Sequence, residues 1–182
     1  MSPVLAALDV AGDADCWRAA GFTVDDDGAI RAGHVRLNTG VGGHGIARWR
    51  LAEEPEVAPA EHANGTTVLD HLVLFTDDPE RTTGTLAERG LAARRVRDVG
   101  NGTTQTFLRA GEVILELVGP IPNVEGVRPW GLAFTVADLD ACAALLGPAC
   151  GAIKDAVQPG RRIATLRHRD LGLTVPIAFM SA

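Results

Sequence analysis

Tyrosine is missing from this 182-residue chain, and Lys154 is the one lysine among 17 Lys and Arg residues. Serine is confined to Ser2 and Ser181, near the two ends, where order is usually poorest. These gaps remove a serine triad, a tyrosine acid or base, and all but one Schiff-base amine from the available chemistry. Aromatic residues make up 4% and the formal net charge is −6, which is too little stacking surface and the wrong sign for a nucleic-acid face. No stretch approaches the roughly 20 apolar residues of a membrane helix. The first residues carry no basic segment and meet Asp9 early, unlike a secretion signal. Cys16, Cys142 and Cys150 match neither a metal-knuckle spacing nor an even disulfide set. The reading is a reduced, cytoplasmic protein with neither nucleic acid nor membrane as partner.

What is present is ordinary for a globular chain: 46% hydrophobic and 22% charged residues, enough for one large domain or two small ones. The order is repetitive. Residues 68–76 alternate as a strand, Leu69, His71, Val73 and Phe75 on one side against Asp70, Leu72 and Leu74 on the other. Asp78, Pro79 and Glu80 then start a helix that Gly90 ends. Strands follow at 92–99, 103–109 and 113–118, with Asn101-Gly102 and Ala110-Gly111 as turns.

The same βαβββ content recurs on both sides. Asp13, Asp78 and Asp138 stand as helix caps in three copies, at 1–61, 66–120 and 126–182. Residues 52–67 between the first two read as a solvated linker. A single unit of this size is marginal by surface-to-volume scaling, so each sheet should pair with another. The expected class is α+β: three repeated βαβββ modules, with paired modules enclosing a cleft between curved mixed sheets. Modules two and three are expected to form the cleft, and module one to pair across a homodimer or cover an edge.

The run Leu69-Asp70-His71-Leu72-Val73-Leu74-Phe75, the capped helix and Val113-Ile114-Leu115-Glu116-Leu117 together resemble the vicinal oxygen chelate superfamily. That group includes glyoxalase I, bleomycin-resistance proteins and extradiol dioxygenases. The resemblance implies metal ligands on the first and last strands of a module, where His71 and Glu116 fall. Aligning Gly172 with Gly111 sets Gly131 opposite His71 and Ile177 opposite Glu116, so the third copy has lost both.

A single divalent ion (Zn, Mn, Fe, Ni or Co) on His71 and Glu116 would suit a mixed imidazole and carboxylate site. Glu116 serves in this reading either as ligand or as general base. Trp130, Arg50 and Gln105 are the expected substrate-binding residues, and His34, His44, His62 and His168 the candidates for a missing ligand. The run Gly40 to Gly45 matches G-x-G-x-x-G, but a strand and not a helix follows it, so no nucleotide cofactor is expected. The functional expectation is a glyoxalase-like lyase, isomerase or dioxygenase acting on a small molecule. The alternative is a metal-free protein that sequesters a ligand in the manner of bleomycin-resistance proteins.

Overall fold

A computed structural model describes residues 2–182. The chain runs β1 (Val4–Ala11), α1 (Ala14–Ala19), β2 (Ala29–Ala32), β3 (Val35–Val41) and β4 (Ile46–Ala52), which make a four-stranded sheet in the order β2-β3-β1-β4. It continues with β5 (Thr66–Thr76), α2 (Pro79–Glu88), β6 (Ala93–Gly100), β7 (Thr103–Ala110) and β8 (Val113–Gly119). The last part is β9 (Val127–Val136), α3 (Leu139–Leu146), β10 (Lys154–Asp155), β11 (Arg162–Thr165) and β12 (Ile177–Ser181). Strands β5 to β12 share one eight-stranded mixed sheet, ordered β10-β11-β12-β9-β5-β8-β7-β6.

The two halves of that sheet mirror each other. In each, the first strand lies parallel to the fourth, which is antiparallel to the third, and the two first strands, β5 and β9, join antiparallel at the centre. The first unit has the same element content but another order: β1 is parallel to β3 and antiparallel to β4. Strand β4 therefore stands where β9 stands beside β5, and the first unit resembles half of the larger sheet with its neighbour's strand supplied locally.

Helix starts follow the acid residues at two of three places. Asp78 accepts a hydrogen bond from the Arg81 backbone N–H at 2.9 Å, and Asp138 accepts one from Ala141 at 3.0 Å, each contributing about 1 kcal/mol to its helix. Asp13 makes no such side-chain bond. Its helix is a short one of 6 residues, held by the buried Trp17, whose indole N–H donates to the Ala11 carbonyl at 3.3 Å. The turn Asn101-Gly102 has φ of 54° and 74°, the paired left-handed conformation of a tight hairpin between β6 and β7.

The first sheet packs within the chain, against the helix-bearing face of the large sheet. Phe22 meets Phe134 at 4.9 Å and Phe179 at 6.1 Å between ring centres, so β9 and β12 share a core with α1. At Gly111, in the β7–β8 turn, a side chain would come within 2.8 Å of Val4, which fixes how closely β1 approaches that hairpin. Module one, expected to pair across a dimer or cover an edge, shares a core with the large sheet within the chain through its own apolar residues.

The solvated-linker reading holds only for its middle. His62 and Asn64 are buried. The Thr23 backbone N–H donates to His62 Nδ1 at 3.1 Å, which leaves His62 Nε2 to donate to the Arg31 carbonyl at 3.1 Å. The Asn64 amide donates to the Ala20 carbonyl at 2.9 Å. This strap ties the first sheet to β5, and burial pushes the His62 pKa below its ordinary value.

Because one core serves both sheets, we expect Phe22→Ala to cost about 3–5 kcal/mol. Urea unfolding followed by tryptophan fluorescence should show one transition shifted as a whole. Two separate transitions, with only the first moved, would show that the sheets fold independently.

Candidate functional site

The eight-stranded sheet curves around a cleft of about 1190 Å³ on the face away from the first sheet. Alternation along each strand sorts the side chains. On β8, Val113, Leu115 and Leu117 are buried in the core while Ile114, Glu116 and Val118 line the cleft. On β5 the alternation breaks. Leu69 pairs with Phe134 and His71 with Ala133, so Asp70 is an extra residue, a β-bulge. Leu69, Leu72 and Leu74 then enter the core, and His71, Val73 and Phe75 face the cleft. The expected grouping of Leu69 with His71 fails for that reason: the bulge shifts the phase by one residue.

The bulge also brings Asp70 beside its neighbour. Asp70 Oδ1 lies 2.6 Å from His71 Nδ1, a buried nitrogen with no other polar partner. Asp70 Oδ2 accepts from Arg161 Nη2 at 2.7 Å and from the Thr135 hydroxyl at 2.5 Å. Burial alone would raise the Asp70 pKa. The contacts from His71, Arg161 and Thr135 outweigh it and hold this carboxyl well below the usual carboxylate range.

Glu116 has the opposite balance. Burial pushes its pKa above the ordinary glutamate value, only partly offset by the charges of His71 and Arg97 and by the amide of Gln105, which donates to Oε1 at 2.7 Å. It pairs with Val73 across the parallel β5–β8 ladder, which places His71 one strand over and two residues along, on the same face. His71 is 4% exposed. A carboxyl group whose ionised form is penalised by burial, next to an imidazole, is suited to proton transfer.

The expected residues are thus brought together with one exception. His71, Glu116, Gln105 and Trp130 all line the cleft, and Trp130, 46% exposed, stacks on Phe75 at 5.0 Å and 21°. Arg50 does not join them: it lies on β4 in the other sheet, donating to both oxygens of Glu56 at 2.7 and 2.5 Å. His34 and His62 bond backbone carbonyls of residues 57 and 31, and neither they nor His44 and His168 are among the cleft residues. Phe75, Arg95 and Arg97 also line the cleft; sequence alone offers Arg94, Arg95 and Arg97 equally as guanidinium donors, and the register shows that Arg95 and Arg97 take the cleft face.

The counterparts of the two ligand positions follow from pairing. The caps Asp78 and Asp138 stand 60 residues apart, and the same offset along the paired strands β5 and β9 makes Gly131 the equivalent of His71 and Ala133 that of Val73. Val73 pairs with Glu116 and Ala133 with Ala178, so the equivalent of Glu116 is Ala178 and not Ile177, which is buried in the core. The path from Gly172 to Ala178 is one residue longer than that from Gly111 to Glu116. At Gly131 a Cβ would already stand 3.1 Å from the Pro176 carbonyl oxygen.

These observations bear on a divalent ion. His71 and Glu116 are the donors that would face it, but among the described residues no three His, Cys, Asp or Glu side chains converge. One Glu116 oxygen is taken by Gln105, and the other half of the site offers Gly131 and Ala178. Such a two-donor set does not fit a firmly held ion.

The architecture is the vicinal oxygen chelate fold. Solved structures similar to this chain include a methylmalonyl-CoA epimerase from Mycobacterium tuberculosis, which matches 64% of this chain and 89% of its own at 19% identity and a TM-score of 0.51. A variant of the Streptomyces coelicolor methylmalonyl-CoA epimerase, solved with 2-nitronate-propionyl-CoA, matches 64% and 95% at 23% identity and a TM-score of 0.50. A hypothetical protein from Bacillus halodurans C-125 matches 63% and 93% at 17% identity and a TM-score of 0.50. No protein-family model matches the chain, and no curated protein does.

The depressed Asp70 pKa fixes a pH dependence. A carboxylate held low in the fold stabilises it above the unfolded value near 3.9, and that stability is lost as pH falls toward the folded value. Urea titrations from pH 7 to pH 3 should show Asp70→Asn less stable by about 3 kcal/mol at pH 7, since Arg161 loses a buried partner, with the gap closing below about pH 4. A gap that stays constant with pH would mean that Asp70 contributes no ionic term.

Proposed function

We propose that this protein is a glyoxalase-like enzyme of the isomerase or lyase kind, one that moves a proton on a carbon next to a carbonyl group in a small molecule. Glu116 is the general base and His71 the group across from it. The observation that carries the reading is the raised Glu116 pKa at the floor of the cleft, with Gln105 holding one oxygen and leaving the other free.

Each part has a physical role. Burial makes Glu116 a stronger base than a solvated glutamate, so it takes a proton at neutral pH with less penalty. Asp70, fixed by Arg161 and Thr135, sits against His71 Nδ1 and sets the ring's orientation, leaving Nε2 for the substrate side. The cleft walls, Val73, Phe75 and Ile114 among them, exclude water from the developing charge. Both halves of the cleft come from one chain, so the expected homodimer is not needed to build it. A divalent ion bound to substrate and protein together would polarise the carbonyl, but every role above belongs to protein side chains.

The names of two structural neighbours make methylmalonyl-CoA the first compound to try. Incubated with it in deuterium oxide, the protein should catalyse exchange of the acidic C–H, read by NMR. Glu116→Gln should lower the rate by about 10² to 10⁴. Because ionised Glu116 is penalised by burial, the variant should be at least as stable as the parent at neutral pH, which separates a lost base from a lost fold. The parent rate should fall as pH drops through a value above the ordinary glutamate range. Exchange unaffected by Glu116→Gln would overturn the assignment.

A second reading, ligand sequestration without turnover, draws support from the Phe75 and Trp130 stack and from Gly131 and Ala178, which widen the cleft. Tight binding of an aromatic compound with no exchange on any carbonyl substrate would favour it.

A further inference from the structure

We propose that the cleft selects a substrate carrying a carboxylate or phosphate, held by Arg95 and Arg97 on β6. This rests on the reading of Glu116 as base and names the class of molecule that it acts on.

The register lays the cleft out in two rows. Arg95 pairs with Phe107, Phe107 with Glu116 and Glu116 with Val73, so one row runs from a guanidinium to the base. Arg97 pairs with Gln105, Gln105 with Val118 and Val118 with Phe75, so the other runs from a guanidinium to the aromatic wall that Trp130 completes. With strands about 4.8 Å apart, Arg95 starts roughly 10 Å from Glu116 and Arg97 roughly 14 Å from Phe75. An anion on the guanidinium pair thus lies one short molecule away from the base, and an apolar substituent reaches the wall.

The charges single out that pair. The titratable groups lining the cleft are His71, Arg95, Arg97, Glu116, Lys154 and Asp155. Lys154 sits beside Asp155 on the far rim, so their charges offset one another there. Neither Arg95 nor Arg97 forms an ion pair among the described residues; Arg89, Arg94, Arg109, Arg128, Arg167 and Arg169 form none either, but they lie outside the cleft. Two guanidinium groups two residues apart on one strand face offer a pair of donor forks to planar or tetrahedral oxyanions. The chain's net charge of −6 gives no general attraction for an anion, so any such binding must be local. Arg94 supplies the control: it is on the same strand but at a bulge and outside the cleft.

The test titrates the protein with malonate, inorganic phosphate and neutral malonamide, following tryptophan fluorescence and melting temperature. We expect malonate or phosphate to bind and malonamide not to. The better of the two anions identifies the head group. Arg95→Gln with Arg97→Gln should weaken it at least ~10-fold, the loss of one good charge-assisted contact. Arg94→Gln should change it less than about twofold. The three residues are exposed, so the unliganded melting temperature should not move. Equal loss in the Arg94 variant, unchanged binding in the double variant, binding of malonamide as tight as malonate, or no anion binding at all would each overturn the proposal. Glu116→Gln should keep the anion while losing proton exchange. Exchange that survives the double arginine change unaltered would leave the base in place and remove the clamp.

Discussion

The site depends on one extra residue in a strand. Asp70 interrupts the pairing of β5 with β9, and the bulge does two things at once. It turns His71, Val73 and Phe75 toward the cleft while Leu69 stays in the core, and it lets two consecutive side chains, Asp70 and His71, touch. Without it, a carboxylate next to an imidazole in sequence would point to the opposite face. Asp70 is 12% exposed, a depth at which an unpaired carboxylate would be strongly disfavoured. Arg161 and Thr135 remove that cost, and because both come from the other half of the sheet, they also lock the two halves in register.

The balance of buried charge sets the two carboxylates of the site apart. Asp70 is over-satisfied: three partners hold it ionised, so it does not exchange protons near neutral pH. Glu116 is under-satisfied: one neutral amide and two more distant positive charges do not make up for its burial. Asp70 and Glu116, the two carboxylates beside His71, are thereby pushed in opposite directions. The burial of Glu116 reduces stability, and the shared core beneath it, with Phe22, Phe134 and Phe179 in contact, offsets that loss.

Much of this was legible in the chain. Strand and helix order follow from alternation, caps and turn pairs, and strands β6 to β8 fall within a residue or two of where Asn101-Gly102 and Ala110-Gly111 place them. His71 and Glu116 on one cleft face could be read from their places on the first and last strands. Three things could not. A bulge leaves no mark in a hydrophobic pattern, so the partners of Asp70 were hidden. Pairing order is not encoded in strand content, so the first unit, with β1 parallel to β3, passed for a third equivalent copy. Burial of the strap at His62 and Asn64 is a tertiary matter, since nothing in a run of Ala, Glu and Pro announces that its last residues dock.

The loss of donors in the second half has a structural logic of its own. Gly131 occupies the position equivalent to His71, and there the Pro176 carbonyl accepts the Leu132 N–H at 2.9 Å, close enough that any side chain would crowd it. Restoring a ligand would mean moving the backbone that leads into β12. The half that keeps its polar pair, by contrast, has regular parallel pairing from His71 to Phe75 along β8. The two halves therefore differ within one symmetric frame: β5 to β8 carry Glu116, His71 and the Arg95 and Arg97 guanidinium groups, while β9 to β12 carry Arg161, Trp130 and open space. A symmetric four-donor site would bind an ion and leave little specificity in the walls. An asymmetric one gives up that ion-binding symmetry and, on the function proposed above, gains a direction from the guanidinium pair past Glu116 to the aromatic wall, which would orient a small molecule with unlike ends.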